Sequence, residues 1–254
     1  MMFRRGLLGF ASRLALAVLT ACGDGDAGVG GTGAPETTMS ADPTGGTTGE
    51  DAFAAELERL VVPHIDPSGK TGAVGLVAAV VGPGVRIVAG YGATEIGGPA
   101  PGPDTIFEIG SLTKVFTGLL LARALDRSTV ALADPIDPLF PLGAPQFQGQ
   151  SITLLDLATH SSGLPRMPNN THSADPRNPG AGYTEQDLGE FMANWTLKAA
   201  PGTTVMYSNL GAGTLGYFLV EDAGEASYEA LMRRDLAGPL GMMDTRILVP
   251  PTDQ

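Results

Sequence analysis

The stretch Phe107-Glu108-Ile109-Gly110-Ser111-Leu112-Thr113-Lys114, continuing as VFTGLLLARAL to Leu125, decides how the rest of the chain is read. Ser111 and Lys114 form a Ser-x-x-Lys pair. Residues three apart on a helix share one face, with Cβ atoms roughly 5–6 Å apart, so the lysine can reach back to the serine oxygen. Gly110 suits a tight start to the helix. A serine there lies beside unpaired N–H groups and the positive end of the macrodipole, both of which favour developing negative charge. To act as the proton acceptor Lys114 must be neutral part of the time, a form that burial favours. Residues 111–125 are apolar nearly all round, which predicts a helix buried in the middle of a domain.

Upstream, AFAAELERLVVPHI (52–65) has apolar residues at helical spacing and stops near Pro63. GLVAAVV (75–81) and VRIVAGYG (85–92) are β-rich runs separated by Gly82-Pro83-Gly84, the pattern of a strand hairpin. Downstream, helices are predicted in ITLLDLATH (152–160), TEQDLGEFMANW (184–195), NLGAGTLGYFLVEDAG (209–224) and YEALMRRDLAGPL (228–240). Most are bounded by Pro, Gly, Ser or Thr. The order is helix, hairpin, then a long helical stretch, without internal repeats.

The N-terminus reads as an export signal. MMFRRGLLGFASR is a basic segment, LALAVLTA a short apolar one, and Leu19-Thr20-Ala21-Cys22 a lipoprotein cleavage box. Residues 1–22 are therefore expected to be a lipoprotein signal peptide, with Cys22 the lipidated N-terminus of the mature chain. The apolar run is well short of the roughly 20 residues that span a bilayer. Arg4-Arg5 also permits twin-arginine export. Residues 23–52 are rich in Gly, Thr, Asp, Ala and Pro and are expected to be a flexible linker. Within it, Gly28-Val29-Gly30-Gly31-Thr32-Gly33 matches the dinucleotide fingerprint but has neither the strand nor the helix that the fingerprint needs. The folded domain is placed at 53–254.

With 15 basic and 27 acidic residues the formal charge is −12, and removing the leader with Arg4, Arg5 and Arg13 takes it to −15. Such a body has no electrostatic footprint for nucleic acid and is repelled by anionic lipid. Membrane attachment must then be covalent, with each buried methylene of the anchor contributing about 0.8 kcal/mol. Cys22 is the only cysteine, which excludes an intramolecular disulfide and a thiolate zinc site. His64 and His172 lack partners at metal-ligand spacing, so no metal or cofactor is expected.

Three segments follow one another along the chain: Phe107–Lys114, the turn Thr159-His160-Ser161-Ser162-Gly163-Leu164-Pro165, and Pro201-Gly202-Thr203 leading to Tyr207-Ser208-Asn209. In this order they resemble the serine β-lactamase and penicillin-binding protein superfamily from about residue 53 to 249. Because the second motif is Tyr-Ser-Asn, the resemblance is greatest to the class C β-lactamase branch, which includes D-alanyl-D-alanine carboxypeptidases and related esterases. It implies an α+β, β-lactamase/transpeptidase-like fold, with an antiparallel sheet flanked by helices and a mostly helical subdomain. It also implies catalytic roles for Ser111, Lys114 and Tyr207 and a substrate-binding role for Asn209. A phenol near a cationic lysine can have a lowered pKa and shuttle a proton, which agrees.

Rival arrangements fit less well. No serine sits in G-x-S-x-G. His160, the candidate for a Ser-His-Asp triad, lies in a turn that the family uses structurally. Glu190 and Asn194 imitate an acidic water-activating motif but precede Tyr207, and read as a solvated helix face.

The superfamily's third motif, Lys/His-Thr/Ser-Gly on a late strand, does not appear before Gln254, so the C-terminal sheet strands are expected to be missing. The literal Lys70-Thr71-Gly72 precedes the nucleophile and reads as coincidence. Without the late strand, one oxyanion-hole donor is lost, typically a cost of about 3 kcal/mol. The hairpin is also expected to keep an unpaired edge and an uncovered apolar face. The leading expectation is an exported, membrane-anchored bacterial lipoprotein, periplasmic or at the cell surface. It would be monomeric and would act by an acyl-enzyme on β-lactams, D-alanyl peptides or short esters. The alternatives are a pseudoenzyme that binds peptidoglycan-like peptides and a non-functional fragment.

Overall fold

The computed structural model describes residues 15–21, 37–41, 48–82, 85–174 and 180–248. They fall into two compact units, one ending at Ile109 and the other starting at Gly110. The first holds strands β1 (Ala15–Ala21) and β2 (Thr37–Ala41), helix α1 (Thr48–Val61), and strands β3 (Gly75–Gly82) and β4 (Val85–Gly92).

β3 and β4 form the predicted hairpin. Its register sets Leu76 opposite Tyr91, Ala78 opposite Ala89 and Val80 opposite Ile87. Side chains alternate between faces with period 2, so these six share one face. All six are buried and pack with Leu57 and Val61 of α1. Burying each larger aliphatic side chain contributes about 1.5–3 kcal/mol, which is why α1 lies on this face.

The outer strands differ from the sequence reading. The sheet order is β1-β3-β4-β2, antiparallel throughout. β1 falls within the expected leader and β2 within the expected linker. A lone hairpin leaves a row of unpaired N–H and C=O groups on each side. Here Ala15–Ala21 pairs along β3 and Thr37–Ala41 along β4, so both sides of the hairpin are paired where an open edge was expected, and α1 covers one apolar face of the sheet. Cys22 and the dinucleotide-like residues 28–33 lie outside the described residues.

The Lys70-Thr71-Gly72 match belongs to a turn built on Asp66. Its carboxylate accepts the N–H groups of Ser68, Lys70 and Thr71 and the hydroxyls of Ser68 and Thr71. The Thr71 and Ser68 hydroxyls, with their backbone N–H groups, hold this carboxyl well below the usual carboxylate range.

The second unit is mostly helical. A 3-10 turn (Gly110–Leu112) leads into α2 (Thr113–Asp126), followed by a two-residue ribbon of β5 (Gln146–Phe147) and β6 (Gln150–Ser151). Then come α3 (Leu154–Ala158), α4 (Glu185–Asn194), α5 (Asn209–Ala223), α6 (Tyr228–Met232) and a π turn at Arg233–Ala237. α3 to α6 start where short polar residues take the orphan N–H groups, whereas α2 follows the 3-10 turn with Leu112 at its head and no side-chain cap. Thr153 with Asp156 and Thr184 with Asp187 form capping boxes, and Ser208 and Ser227 cap α5 and α6. Leu120 and Leu121, Leu154 and Leu157, Phe191 and Met192, and Leu215 and Leu219 join one core from four helices.

α2 is less enclosed than its composition predicts. Thr117, Leu120 and Leu121 are buried, but Val115 is 57% exposed and Leu119 46%. α5 and the turn at Arg233–Ala237 both pack against it. At the far end, Asp235 accepts from both Arg127 and Arg234, and Arg234 also pairs with Glu225. The sheet with its helix and the helical unit make the α+β class expected from the sequence.

Candidate active site

Ser111 sits in the 3-10 turn that opens α2. Gly110 before it has a φ of +50°, a left-handed conformation that glycine adopts without Cβ strain. The chain therefore turns abruptly and presents the serine at the head of the helix. Lys114, half-buried in the first turn of α2, donates to Ser111 Oγ at 3.2 Å and to Asn209 Oδ1 at 2.8 Å. Tyr207 Oη lies 2.6 Å from Ser111 Oγ. Ser111, Lys114, Tyr207 and Asn209, four of the residues expected from the sequence, thus form one hydrogen-bonded cluster.

The Tyr207 side reaches this position because two loops are tied together along their length. Gly202 N–H donates to Ser161 O at 2.9 Å and Met206 N–H to His160 O at 2.8 Å. Ser208 N–H donates to His160 Nδ1 at 3.2 Å, and Ser208 Oγ to Pro165 O at 2.6 Å while accepting Gly211 N–H at 2.8 Å. Asn209 and Leu210 N–H both donate to Arg166 O, at 3.0 and 3.3 Å. Ser208 is therefore at once the cap of α5 and the rivet between the loops. That places Tyr207 just before the helix and Asn209 in its first turn.

Positive charge surrounds the phenol. Lys114 Nζ is 4.7 Å from the Tyr207 ring centroid and the Arg166 guanidinium carbon 5.1 Å. The Tyr207 phenol is lowered from its ordinary value, first by Lys114 beside it, then by the hydrogen bond with Ser111, with the Arg166 charge adding to both. Partial burial opposes these effects. A phenol so placed can take a proton from the serine hydroxyl and return it.

Other sequence candidates are placed differently. His160 makes no hydrogen bond with Ser111; its ring lies against Tyr207, with centroids 4.7 Å apart and planes tilted by 39°. Glu190 and Asn194 are exposed on α4, where Asn194 donates to the Glu190 carbonyl oxygen at 2.7 Å, as a solvated face should. His172 pairs with Asp187 at 2.9 Å. Arg166 was not singled out in the sequence; its place directly after the Gly163-Leu164-Pro165 turn was the available signal. Among the described residues no cluster of three or more His, Cys, Asp or Glu residues can hold a metal ion.

A helix-borne serine with an amine and a phenol on its oxygen defines a class of site suited to acyl transfer. The chain belongs to the Beta-lactamase family, whose model matches residues 52–254. It is 35% identical over 208 residues to the D-alanyl-D-alanine-carboxypeptidase/endopeptidase AmpH of Escherichia coli, covering 81% of this chain and 52% of that protein. It is also 35% identical over 184 residues to an Escherichia coli β-lactamase, covering 71% and 45%. The chain thus spans about half the length of the curated relatives it matches.

Among solved structures, a β-lactamase/D-alanine carboxypeptidase from Yersinia pestis superposes with a TM-score of 0.70 at 27% identity, over 80% of this chain and 57% of that one. A class C β-lactamase mutant gives 0.64 at 25%, over 81% and 54%. The fold is the β-lactamase/transpeptidase type.

Proposed function

We propose that this chain is a serine hydrolase that acts through an acyl-enzyme on Ser111, on D-alanyl peptides or β-lactams. The observation that carries the reading is the contact between Ser111 Oγ and Tyr207 Oη, with Lys114 hydrogen-bonded to the same serine. The Ser111 hydroxyl passes its proton to the Tyr207 phenolate as Oγ attacks the scissile carbonyl carbon. The C–N bond then breaks, and Tyr207 returns that proton to the departing nitrogen. Water attacks the ester next, its proton going to Tyr207; as the bond from the carbonyl carbon to Ser111 Oγ breaks, Tyr207 passes that proton to Oγ, which releases the acid and restores both the serine hydroxyl and the phenolate. Lys114 supplies fixed positive charge beside both oxygens, and Asn209 holds Lys114 and one side of the substrate amide. This gives Tyr207 more of the proton transfer than the Ser-x-x-Lys spacing alone suggests.

The names of the relatives support the substrate class, since they include a D-alanyl-D-alanine carboxypeptidase and β-lactamases. The test is turnover of a chromogenic β-lactam, a D-alanyl-D-alanine peptide and a p-nitrophenyl ester, with Ser111→Ala as control. Hydrolysis of the first or second that disappears in Ser111→Ala supports the reading. A folded chain that turns over none of them, or whose Ser111→Ala variant is as active, contradicts it.

The chain is further proposed to be an exported lipoprotein anchored through Cys22, on the strength of the leader and its Leu19-Thr20-Ala21-Cys22 box; cleavage before Cys22 removes β1 and leaves the outer edge of β3 free in the mature protein. Among the described residues no helix is long and apolar enough to cross a membrane. Palmitate labelling in cells that is lost in Cys22→Ala is the expected result. Equal labelling of both chains would overturn it.

A further inference from the structure

The geometry points to His160 as the positioning residue for Tyr207: it grips the backbone on both sides of the tyrosine and packs its ring against the phenol. This inference rests on the reading of Tyr207 as the group that moves the proton. Burial does not hold Tyr207 in place. It is 38% exposed, and Val205 and Met206 before it are 75% and 46% exposed. A segment this open is a mobile surface loop unless specific polar ties fix it.

Three ties come from one residue. The His160 carbonyl oxygen accepts Met206 N–H at 2.8 Å and Nδ1 accepts Ser208 N–H at 3.2 Å, one on each side of Tyr207. The imidazole then lies against the Tyr207 ring at 4.7 Å. Together they fix the backbone that carries the phenol and limit the swing of its ring.

His160 adopts a φ of +60°, as do few non-glycine residues. Strained backbone of this kind persists where surrounding contacts over-determine it, and is concentrated at functional sites. The same turn directs its carbonyl and its imidazole to one segment. A backbone N–H can only donate, so Nδ1 must be the unprotonated nitrogen and any ring proton resides on Nε2. His160 is thereby committed to Ser208 and is not the base of a serine-histidine pair. A misplacement of about 1 Å can cost roughly 10²-fold in rate, so a loosened clamp should be visible in the chemistry while the fold survives.

The experiment measures the second-order rate of Ser111 acylation by a fluorescent penicillin across pH, on the full chain and its variants, with a thermal melt of each. The charged and titratable groups facing the phenol are Lys114 from α2, Arg166 from the loop after Pro165, and His160 itself. His160→Phe keeps a ring but loses the acceptor. It should acylate at least ten-fold more slowly, with its rising limb at higher pH as the phenol drifts from Lys114. His160→Asn, which tolerates the left-handed backbone and keeps an acceptor, should recover most of the rate. A cooperatively folding His160→Phe with the wild-type rate and limb overturns the inference.

A second measurement does not depend on any variant folding. The ¹⁵N spectrum of wild-type His160 should show the Nε2-protonated tautomer, and a proton on Nδ1 overturns the clamp. A wild-type chain in which Ser111 takes no acyl group is a different failure, which overturns the functional reading and this inference with it.

Discussion

Tyr207 Oη lies 2.6 Å from Ser111 Oγ across 96 residues of chain. The contact joins the head of α2 to the cap of α5, and it is the link on which the proposed chemistry depends. Proton transfer by a positioned side chain typically contributes about 10²–10⁴-fold in rate. Tyr207→Phe should therefore slow acylation by about that factor. Because the phenol is partly exposed, its melting temperature should change little. The check is the labelling rate beside a thermal melt; a folded Tyr207→Phe that acylates normally removes Tyr207 from the mechanism.

The pH dependence follows from the sign of the Tyr207 shift. Its phenolate is the base, and its value is lowered by Lys114 first and Arg166 last. The rate should rise with pH through a limb below the ordinary tyrosine value of about 10 and level off above it. Removing a cation raises the phenol's value and moves the limb to higher pH. Arg166→Gln should move it up modestly, and Lys114→Met further, with a lower rate as well. High salt should screen the Arg166 contribution first, since that side chain is exposed. Acylation profiles at low and high salt test this. A limb that stays in place in Arg166→Gln contradicts it.

Asp235 links acid stability to the far end of α2. Arg234, then Arg127, holds its carboxyl well below the usual carboxylate range. A depressed carboxyl stabilises the fold fully above its unfolded value of about 3.9, and that stabilisation is lost as pH falls through the depressed folded value. Breaking a buried pair costs about 3–5 kcal/mol, and the solvent available to both guanidiniums brings the expected figure to about 2–3 kcal/mol for Asp235→Asn near neutrality. Denaturant melts should show this gap at pH 7 and its narrowing below pH about 3. A gap that is the same at both pH values contradicts the ion-pair account.

Ser208 should couple stability to activity. Its side chain caps α5 and ties that cap to Pro165. Losing an N-cap costs about 0.5–2 kcal/mol, and here the partly buried Pro165 carbonyl loses its donor as well. Ser208→Ala should sit at the upper end of that range. It should also slow acylation several-fold by loosening the segment that carries Tyr207. Equal rates in the two chains would separate the cap from the site.

Much of this was legible in the sequence, where local chemistry decides local structure. The hairpin at 75–92 follows from two β-rich runs around Gly82-Pro83-Gly84, and α4 from the helix predicted over 184–195, which opens on Thr184. Ser111 and Lys114 are readable because three residues make one helical face. Tyr207 and Asn209 came only from resemblance, since no local pattern shows what lies 95 residues away.

The outer strands β1 and β2 were not legible, because their pairing depends on an open edge elsewhere rather than on their own residues. The exposed face of α2 was hidden for a related reason: composition gives a helix's apolar surface but not how much of it a neighbour covers. Arg166 and the grip of His160 arise from two loops brought side by side, which spacing does not encode.

The central claim is that Ser111 carries the acyl group. Incubating the full chain with a penicillin and mapping peptides by mass spectrometry tests it most directly. The expected result is one adduct, on the peptide containing Ser111, absent from Ser111→Ala and slow to form in Tyr207→Phe. A cooperatively folded chain with no adduct, or with an adduct that persists in Ser111→Ala, would contradict it.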